Sequence, residues 1–290
     1  MVSKINKCSW GNYPISKPTE VWSIYWRDQN ISFNDTDKNF LCYGQGRSYG
    51  DICLNENGIL IDTSNLNRLI TFDEKNGLIR CEAGITFKEI LQVIVLRGWF
   101  LPVVPGTQFI SLGGAIANDI HGKNHHQAGT FGHYVKCFEL MTSDGYRLFC
   151  SPENNFELYN ATIGGLGLTG LIIWAEIQLI PIKNPYLDAE YIKFKHIDDF
   201  IDLNKSSEEI FSYTVAWLDC TTRNKKSFGR GIFMRANHNI HKINLPFPRR
   251  SFSIPCYLPN FALNHLTIKM FNKAYYYKQF KPTKKTTLHY

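Results

Sequence analysis

Up to about Ile182 the chain mixes two hydrophobic rhythms, and after "PIKNPY" (181–186) its texture changes. Three apolar-rich runs bounded by turn residues read as strands: "FLCYGQGRSYGD" (40–51), "GILIDTSNLNRL" (58–69) and "GLIRCEAG" (77–84). The first runs directly into a glycine loop. "TFKEILQVIVLRGW" (86–99) has the helical period instead, with Ile90, Leu91, Ile94 and Val95 on one face. Thr86 is its expected N-cap, Glu89 completes a capping box, and Gly98 ends it. "VKCFELMTSDGYRLFCS" (135–151) alternates around Asp144-Gly145, a hairpin signal. "SPENNFELYNATIGG" (151–165) predicts a helix with Ser151 as N-cap, Pro152 in the first turn and Gly164 past the end. "GLGLTGLIIWAEIQLIPI" (165–182) predicts a long strand. Beyond the change of texture, an amphipathic helix is expected over about His196–Ser206, then the strand "SYTVAWLDC" (212–220). The fold class is therefore α+β, with a domain over 1–183 and another over 184–290.

Composition narrows the class. The chain has 290 residues, 44% of them hydrophobic and 20% charged, which is globular and large enough for more than one core. The start, "MVSKINKCSWGNYP", lacks the apolar stretch of a secretory signal, and the longest apolar run, Gly170–Ile182, is too short to span a membrane. The eight cysteines show no C-x-x-C pair and read as reduced thiols, mostly core filler, Cys137 among them. Charge is uneven. Residues 221–290 hold 14 Lys and Arg and no Asp or Glu, so this aromatic-rich segment suits an anionic partner or awaits an acidic counterpart. It carries no nucleic-acid-binding motif, and no nucleic-acid partner is expected.

Candidate chemistry concentrates in "GGAIANDIHGKNHH" (113–126). A metal site needs ligands on one face or tight turn. His121 and His125 have helical i, i+4 spacing, but Gly113, Gly114, Gly122 and Gly129 make a helix there costly at about 1 kcal/mol per glycine. No H-E-x-x-H is present, and the stretch has no G-x-S-x-G for a nucleophile elbow. "GQGRSYG" (44–50) approaches a dinucleotide fingerprint, but its last spacing is three residues rather than two and no helix start follows. Three glycine-rich segments remain, at 44–50, 105–114 and 164–170, each beside a strand. Any one of them reads as a tight turn. Together they suit main-chain amides closing on one large anionic cofactor.

The blocks "YGQGRSYGD", "LPVVPGT", "SLGGAIANDIHGKNHHQAGTFG" and "GGLGLTG" resemble the vanillyl-alcohol-oxidase/PCMH-type FAD-binding flavoproteins, and within them most resemble the decaprenylphosphoryl-β-D-ribose 2′-oxidases. The resemblance implies a PCMH-type FAD-binding domain of two α/β subdomains, followed by an incomplete sheet-based substrate domain. It implies that Gly44, Gln45, Gly46, Arg47, Ser48 and Tyr49 hold the cofactor's diphosphate. Pro105, Gly106, Thr107, Gly113, Gly114 and Ala115 would line the cofactor, Asn118, Asp119, Ile120 and His121 would lie along the flavin, and Leu171 and Ile172 would back it. Many relatives attach FAD through a histidine where this chain has Arg47. Arginine cannot make that bond, so FAD is expected to be non-covalent.

The same resemblance implies hydride transfer from a sugar secondary alcohol to the flavin, with Tyr49 and His121 as catalytic groups and Gly122, Lys123 and Trp217 meeting substrate. His125 and His126 are left with structural roles, and core packing is an equal reading of Trp217. The implied substrate is a polyprenyl-phosphate-linked pentose oxidised at its 2′-hydroxyl, the first half of an epimerisation in cell-envelope polysaccharide synthesis. A separate short-chain reductase would finish that epimerisation. The implied place is the cytoplasm, with peripheral contact at the inner face of the membrane. A sugar-lactone or alditol oxidase, and a non-catalytic FAD-binding remnant, are the alternatives. Family members continue past the length of this chain, and "KPTKKTTLHY" ends where a further strand is expected, so a fragment is expected.

Overall fold

The computed structural model describes residues 7–29, 31, 33, 37–221, 228–241 and 259–289. Of the basic segment read above, Arg223, Lys225, Lys226, Lys242, Arg249 and Arg250 lie outside the described residues. The chain divides into two compact units, residues 1–181 and 182–290, against an expected boundary at 183/184.

The first unit opens with a three-stranded parallel sheet made of β1 (Glu20–Ser23), β2 (Phe40–Tyr43) and β3 (Ile59–Asp62), in the order β1-β3-β2. β3 is buried along its whole length, as a central parallel strand covered on both faces must be. Next come β4 (Leu69–Asp73), β5 (Leu78–Glu82), α1 (Phe87–Ile94), the two-residue β6 (Trp99–Phe100), α2 (Leu112–Ala117) and the single turn α3 (His125–Ala128). The hairpin β7 (Val135–Met141) and β8 (Arg147–Cys150), α4 (Phe156–Thr162), β9 (Leu171–Gln178) and β10 (Ile180–Pro181) complete the unit. Five of these strands form an antiparallel sheet in the order β4-β5-β9-β7-β8.

β9 shows why this sheet has one dry face. Its alternate residues Leu171, Ile173, Ala175 and Ile177 are buried, while Trp174, Glu176 and Gln178 are only partly so. The dry side joins the parallel sheet through a cluster of Ile24, Phe33, Ile61, Leu66, Met141, Leu171 and Ile173. The other side is polar and aromatic. Arg80 pairs with Glu176 at 3.0 Å and stacks on Trp174, whose indole N–H donates to Glu139 at 2.6 Å.

α1 forms where its pattern says. The Thr86 hydroxyl accepts from Glu89 N–H, the Glu89 carboxylate accepts from Thr86 N–H, and Phe87, Ile90, Leu91 and Ile94 are buried. Such a cap contributes about 1 kcal/mol. A 3₁₀ turn over Val95–Arg97 then runs into Gly98 at φ 79°. The helix expected from Ser151 starts later, at Phe156. The Ser151 hydroxyl instead accepts from the N–H groups of Glu153 and Asn154 in a local turn, and Asn155, at φ 50°, is the residue that turns the chain into the helix.

The second unit is an antiparallel sheet of β11 (Tyr186–Phe194), β12 (Tyr213–Leu218), β13 (Gly231–His238) and β14 (Thr283–His289), in the order β12-β13-β11-β14. Helices α5 (Ile197–Lys205) and α6 (His265–Lys278) accompany it. α5 falls within the expected His196–Ser206, with His196 as its N-cap, and Phe200 packs against Phe194 and Phe233. The segment expected to stop short of a further strand is itself that strand: β14 pairs with β11 from Thr283 to His289. As an edge it carries Lys284 and Lys285, a common protection against further pairing.

Candidate functional site

A cleft of about 540 Å³ opens in the first unit, within the usual range for a small-molecule or cofactor site. Four chain segments meet there. The loop after β2 contributes Gly44 to Tyr49, the approach to α2 contributes Pro105 to Thr107, and α2 with its exit contributes Gly113 to Ala115, Asn118, Ile120 and His121. The turn into β9 contributes Leu166, Gly167, Gly170, Leu171 and Ile172. All three glycine-rich segments of the sequence therefore border one space.

The first loop is shaped for an anion. Gly46 is buried at φ 61°, and a Cβ there would strike the Tyr43 hydroxyl and the Cys8 carbonyl. Among the described residues, the backbone N–H groups of Gly44, Gln45, Gly46 and Arg47 have no protein acceptor. Four successive unpaired amides at a cleft wall, one on a buried residue, call for an anionic ligand. Arg47 adds a full charge. Its guanidinium sits 5.3 Å from the Trp10 ring centre, and no carboxylate pairs with it among the described residues. Among the described residues no Asp or Glu lines the cleft, and burial pushes the thiol of Cys42 up to about 12 and that of Cys53 upward, so both stay neutral.

α2 has a different part. Its first amides are already used: Leu112 N–H donates to Ile85 (2.9 Å), Gly113 N–H to Ala83 (2.7 Å) and Gly114 N–H to the Ser111 hydroxyl (3.3 Å). The helix is thus stitched to the strand-exit backbone, and a Cβ on Gly113 would come within 3.0 Å of the Ala83 methyl. Its glycines serve close packing, and the anion-binding donors come from the loop after β2. The far end of α2 is also tied down, by Gly164 N–H on Ile116 and Leu166 N–H on Ala117 (2.7 Å), so the third glycine segment caps the helix beneath the cleft.

Of the residues expected along a cofactor, Asp119 alone does not border the cleft. Its carboxylate accepts from Gly132 N–H at 2.8 Å and holds the next loop instead. His121 borders the cleft and is exposed, in an isolated bridge with Thr130. Tyr49 borders it at 74% exposure. Gly122 and Lys123 follow His121, with Lys123 N–H held by Val104 and its side chain exposed. Trp217 lies in the second unit, on β12, with its ring 4.8 Å from that of Tyr275.

Several residues escaped the sequence reading. Trp10, Cys42, Cys53 and Thr63 border the cleft, and only tertiary pairing brings them there. Asn124 is buried, donates to Pro102 at 2.6 Å and accepts from Val104 N–H at 3.4 Å, so it fixes the loop that presents His121. A polar residue inside a histidine-rich loop was the available signal for it.

Comparison with known proteins gives the cleft a context. Residues 32–151 match the family described as FAD binding domain. The chain is similar to decaprenylphosphoryl-β-D-ribose oxidase of Mycolicibacterium smegmatis, 34% identical over 246 residues that cover 81% of this chain and 53% of that enzyme. It is similar to L-gulonolactone oxidase of Scyliorhinus torazame, 30% identical over 62% of this chain and 40% of the relative. It is also similar to human Δ(24)-sterol reductase, 30% identical over 45% of this chain and 24% of the relative. The chain spans about half the length of the mycobacterial enzyme and less of the other two. With unpaired amides and a lone arginine at a cleft that no Asp or Glu lines among the described residues, residues 32–151 carry a PCMH-type FAD-binding domain, and FAD is its cofactor.

Proposed function

We propose that this chain acts as an FAD-dependent oxidase on a secondary alcohol of a sugar, and that its substrate is a polyprenyl-phosphate-linked pentose oxidised at the 2′-hydroxyl. One observation carries the reading: the cleft joins a phosphate-shaped amide loop at one wall to His121 at another. The length of the match adds to it. The similarity to the ribose oxidase covers 81% of the chain, more than the first unit holds, so it reaches into the second, whereas that to the sterol reductase covers 45%.

Bound FAD would supply the hydride acceptor. Gly44 to Arg47 would bind its diphosphate through main-chain N–H groups, and the Arg47 guanidinium would neutralise charge without any covalent link. His121 would take the hydroxyl proton on an imidazole nitrogen, with the Tyr49 hydroxyl as a further polar group at the same cleft. Lys123 would attract the substrate phosphate, Gly122 would keep the chain close to Val104, and Trp217 would offer a ring to the sugar or its carrier. The two sheets of the first unit would correspond to the two subdomains of the FAD fold. The keto sugar would pass to a short-chain reductase. No helix among the described residues is long and apolar enough to cross a membrane, so contact with a lipid-borne substrate would be peripheral.

The second reading is a sugar-lactone oxidase, favoured by the similarity to L-gulonolactone oxidase. The test is a yellow preparation whose colour is lost to the supernatant on acid precipitation, followed by anaerobic mixing with candidate substrates. Bleaching by a polyprenyl-phosphoryl pentose supports the first reading, and bleaching by a lactone alone supports the second. Flavin that no sugar bleaches leaves an FAD-binding remnant.

A further inference from the structure

The second unit carries its own cavity, of about 370 Å³, lined by Lys193, Lys195, Arg230, Tyr276, Tyr277, Phe280 and Pro282. Both lysines come from the end of one strand and the turn that follows it. Lys193 is on β11, and Lys195 is the first residue past its end. Arg230 precedes β13, and the aromatic wall comes from the end of α6 and the link to β14.

Three cations line this cavity, and among the described residues only Arg230 has a carboxylate partner. Lys193 Nζ donates to the Gln279 carbonyl at 2.9 Å, and it lies 4.2 and 5.3 Å from the ring centres of Tyr276 and Tyr277. Arg230 sits over the same two rings, at 4.8 and 5.8 Å. Arg230 also binds Asp219 through Nε (3.1 Å) and Nη2 (2.8 Å), which leaves Nη1 with no acceptor among the described residues. Neither lysine has a carboxylate partner among the described residues. Asp199, which accepts from the backbone N–H groups of Lys195 and His196 at the start of α5, keeps its charge and acts on the nearby Tyr276, but it does not line the cavity. Among the described residues no carboxylate lines the cavity. The two unpaired ammonium groups leave the cavity with positive charge, which an anion with several acceptor oxygens would offset. Ammonium groups act as point charges without a fixed planar fork, and together with one guanidinium nitrogen they suit an anion with several oxygens such as phosphate. The rim is apolar: Phe280 is 94% and Tyr277 53% exposed.

We propose that this cavity binds a phosphate group, with the apolar part of the ligand against Tyr277 and Phe280. The phosphate belongs either to the headgroup of an anionic phospholipid or to a soluble phosphate compound. The site lies wholly in the second unit and its test reads no flavin, so its failure and that of the oxidase reading are separate results.

The experiment titrates the full chain with inorganic phosphate by calorimetry. It also sediments the chain with phosphatidylcholine vesicles made with and without phosphatidylglycerol. Phosphate binding that weakens about tenfold or more in Lys193→Gln/Lys195→Gln supports the site. Sedimentation only with phosphatidylglycerol, reversed by phosphate, assigns the lipid source; phosphate binding with no sedimentation assigns the soluble one. Because Lys193 also holds Gln279, the exposed single change Lys195→Glu is measured beside the double variant, with circular dichroism to establish that each is folded. A parent that binds neither phosphate nor anionic vesicles overturns the proposal, and so does a folded Lys195→Glu chain that binds as well as the parent.

Discussion

Replacing Arg47 by alanine isolates the electrostatic part of cofactor binding. Arg47 is exposed, has no carboxylate partner among the described residues, and touches the protein through the Trp10 ring at 5.3 Å. Removing it therefore orphans no buried charge. The loss in the apo chain is that of an exposed cation–π contact, about 0.5–1 kcal/mol. For a unit of this size, that shifts the melting temperature by about 2–4 °C at most. The loss in FAD binding is larger. A hydrogen bond between charged groups contributes about 1.5–3 kcal/mol, so the dissociation constant rises about ten- to a hundredfold. FAD titration of apo chain by fluorescence quenching, beside thermal unfolding without cofactor, measures both. Affinity in the parent falls with added salt, and in Arg47→Ala it falls less steeply, because one screened cation is gone. Equal affinity in parent and variant refutes the placement of the diphosphate at this loop. A large drop in apo stability refutes the claim that Arg47 serves the ligand rather than the fold.

Other consequences are as specific. His121→Gln keeps the flavin spectrum but slows anaerobic bleaching by substrate about 10²–10⁴-fold, as loss of a general base does; an unchanged rate removes His121 from the chemistry. Asn124→Ala leaves the Pro102 carbonyl and the Val104 N–H without their side-chain partner in a buried site, at about 1–3 kcal/mol each, and melts several degrees lower by calorimetry. Burial acts to raise the Asp219 carboxyl, but hydrogen bonds from Thr221, Arg230 and Asn272 outweigh it and hold the pKa down at about 2. A carboxyl depressed in this way stabilises the fold above its unfolded value near 4. That contribution, about 2 kcal/mol, is lost as pH falls through about 2. Urea unfolding between pH 5 and 2 therefore shows a slope that is shallower in Asp219→Asn.

What could be read in the chain depended on whether its cause was local. The α1 cap needs only Thr86, Glu89 and the spacing of Ile90, Leu91 and Ile94, and all are visible in sequence. The hairpin turn needs only Asp144-Gly145, and Gly145 has φ 84°. Ser151 shows the limit of local signals. A serine before a proline caps a helix or closes a short turn with the same hydroxyl, and the αL conformation of Asn155 decides between them. The glycine loops were legible as a group, but their division of labour was not. That the α2 amides are spent on Ala83 and Ile85, leaving those of Gly44 to Arg47 for a ligand, is a pairing between segments far apart in sequence. For the same reason Trp10 and Thr63 carried no signal of their place at the cleft. β11, β13 and α6 were missed because their apolar positions alternate weakly and α6 buries little beyond Tyr276.

The position of the diphosphate bears most directly on the account. In a crystal structure of the chain with FAD, its oxygens should lie within hydrogen-bonding distance of the N–H groups of Gly44 to Arg47, with the ring system extending toward His121. A diphosphate held at the start of α2, or FAD outside this cleft, would contradict it.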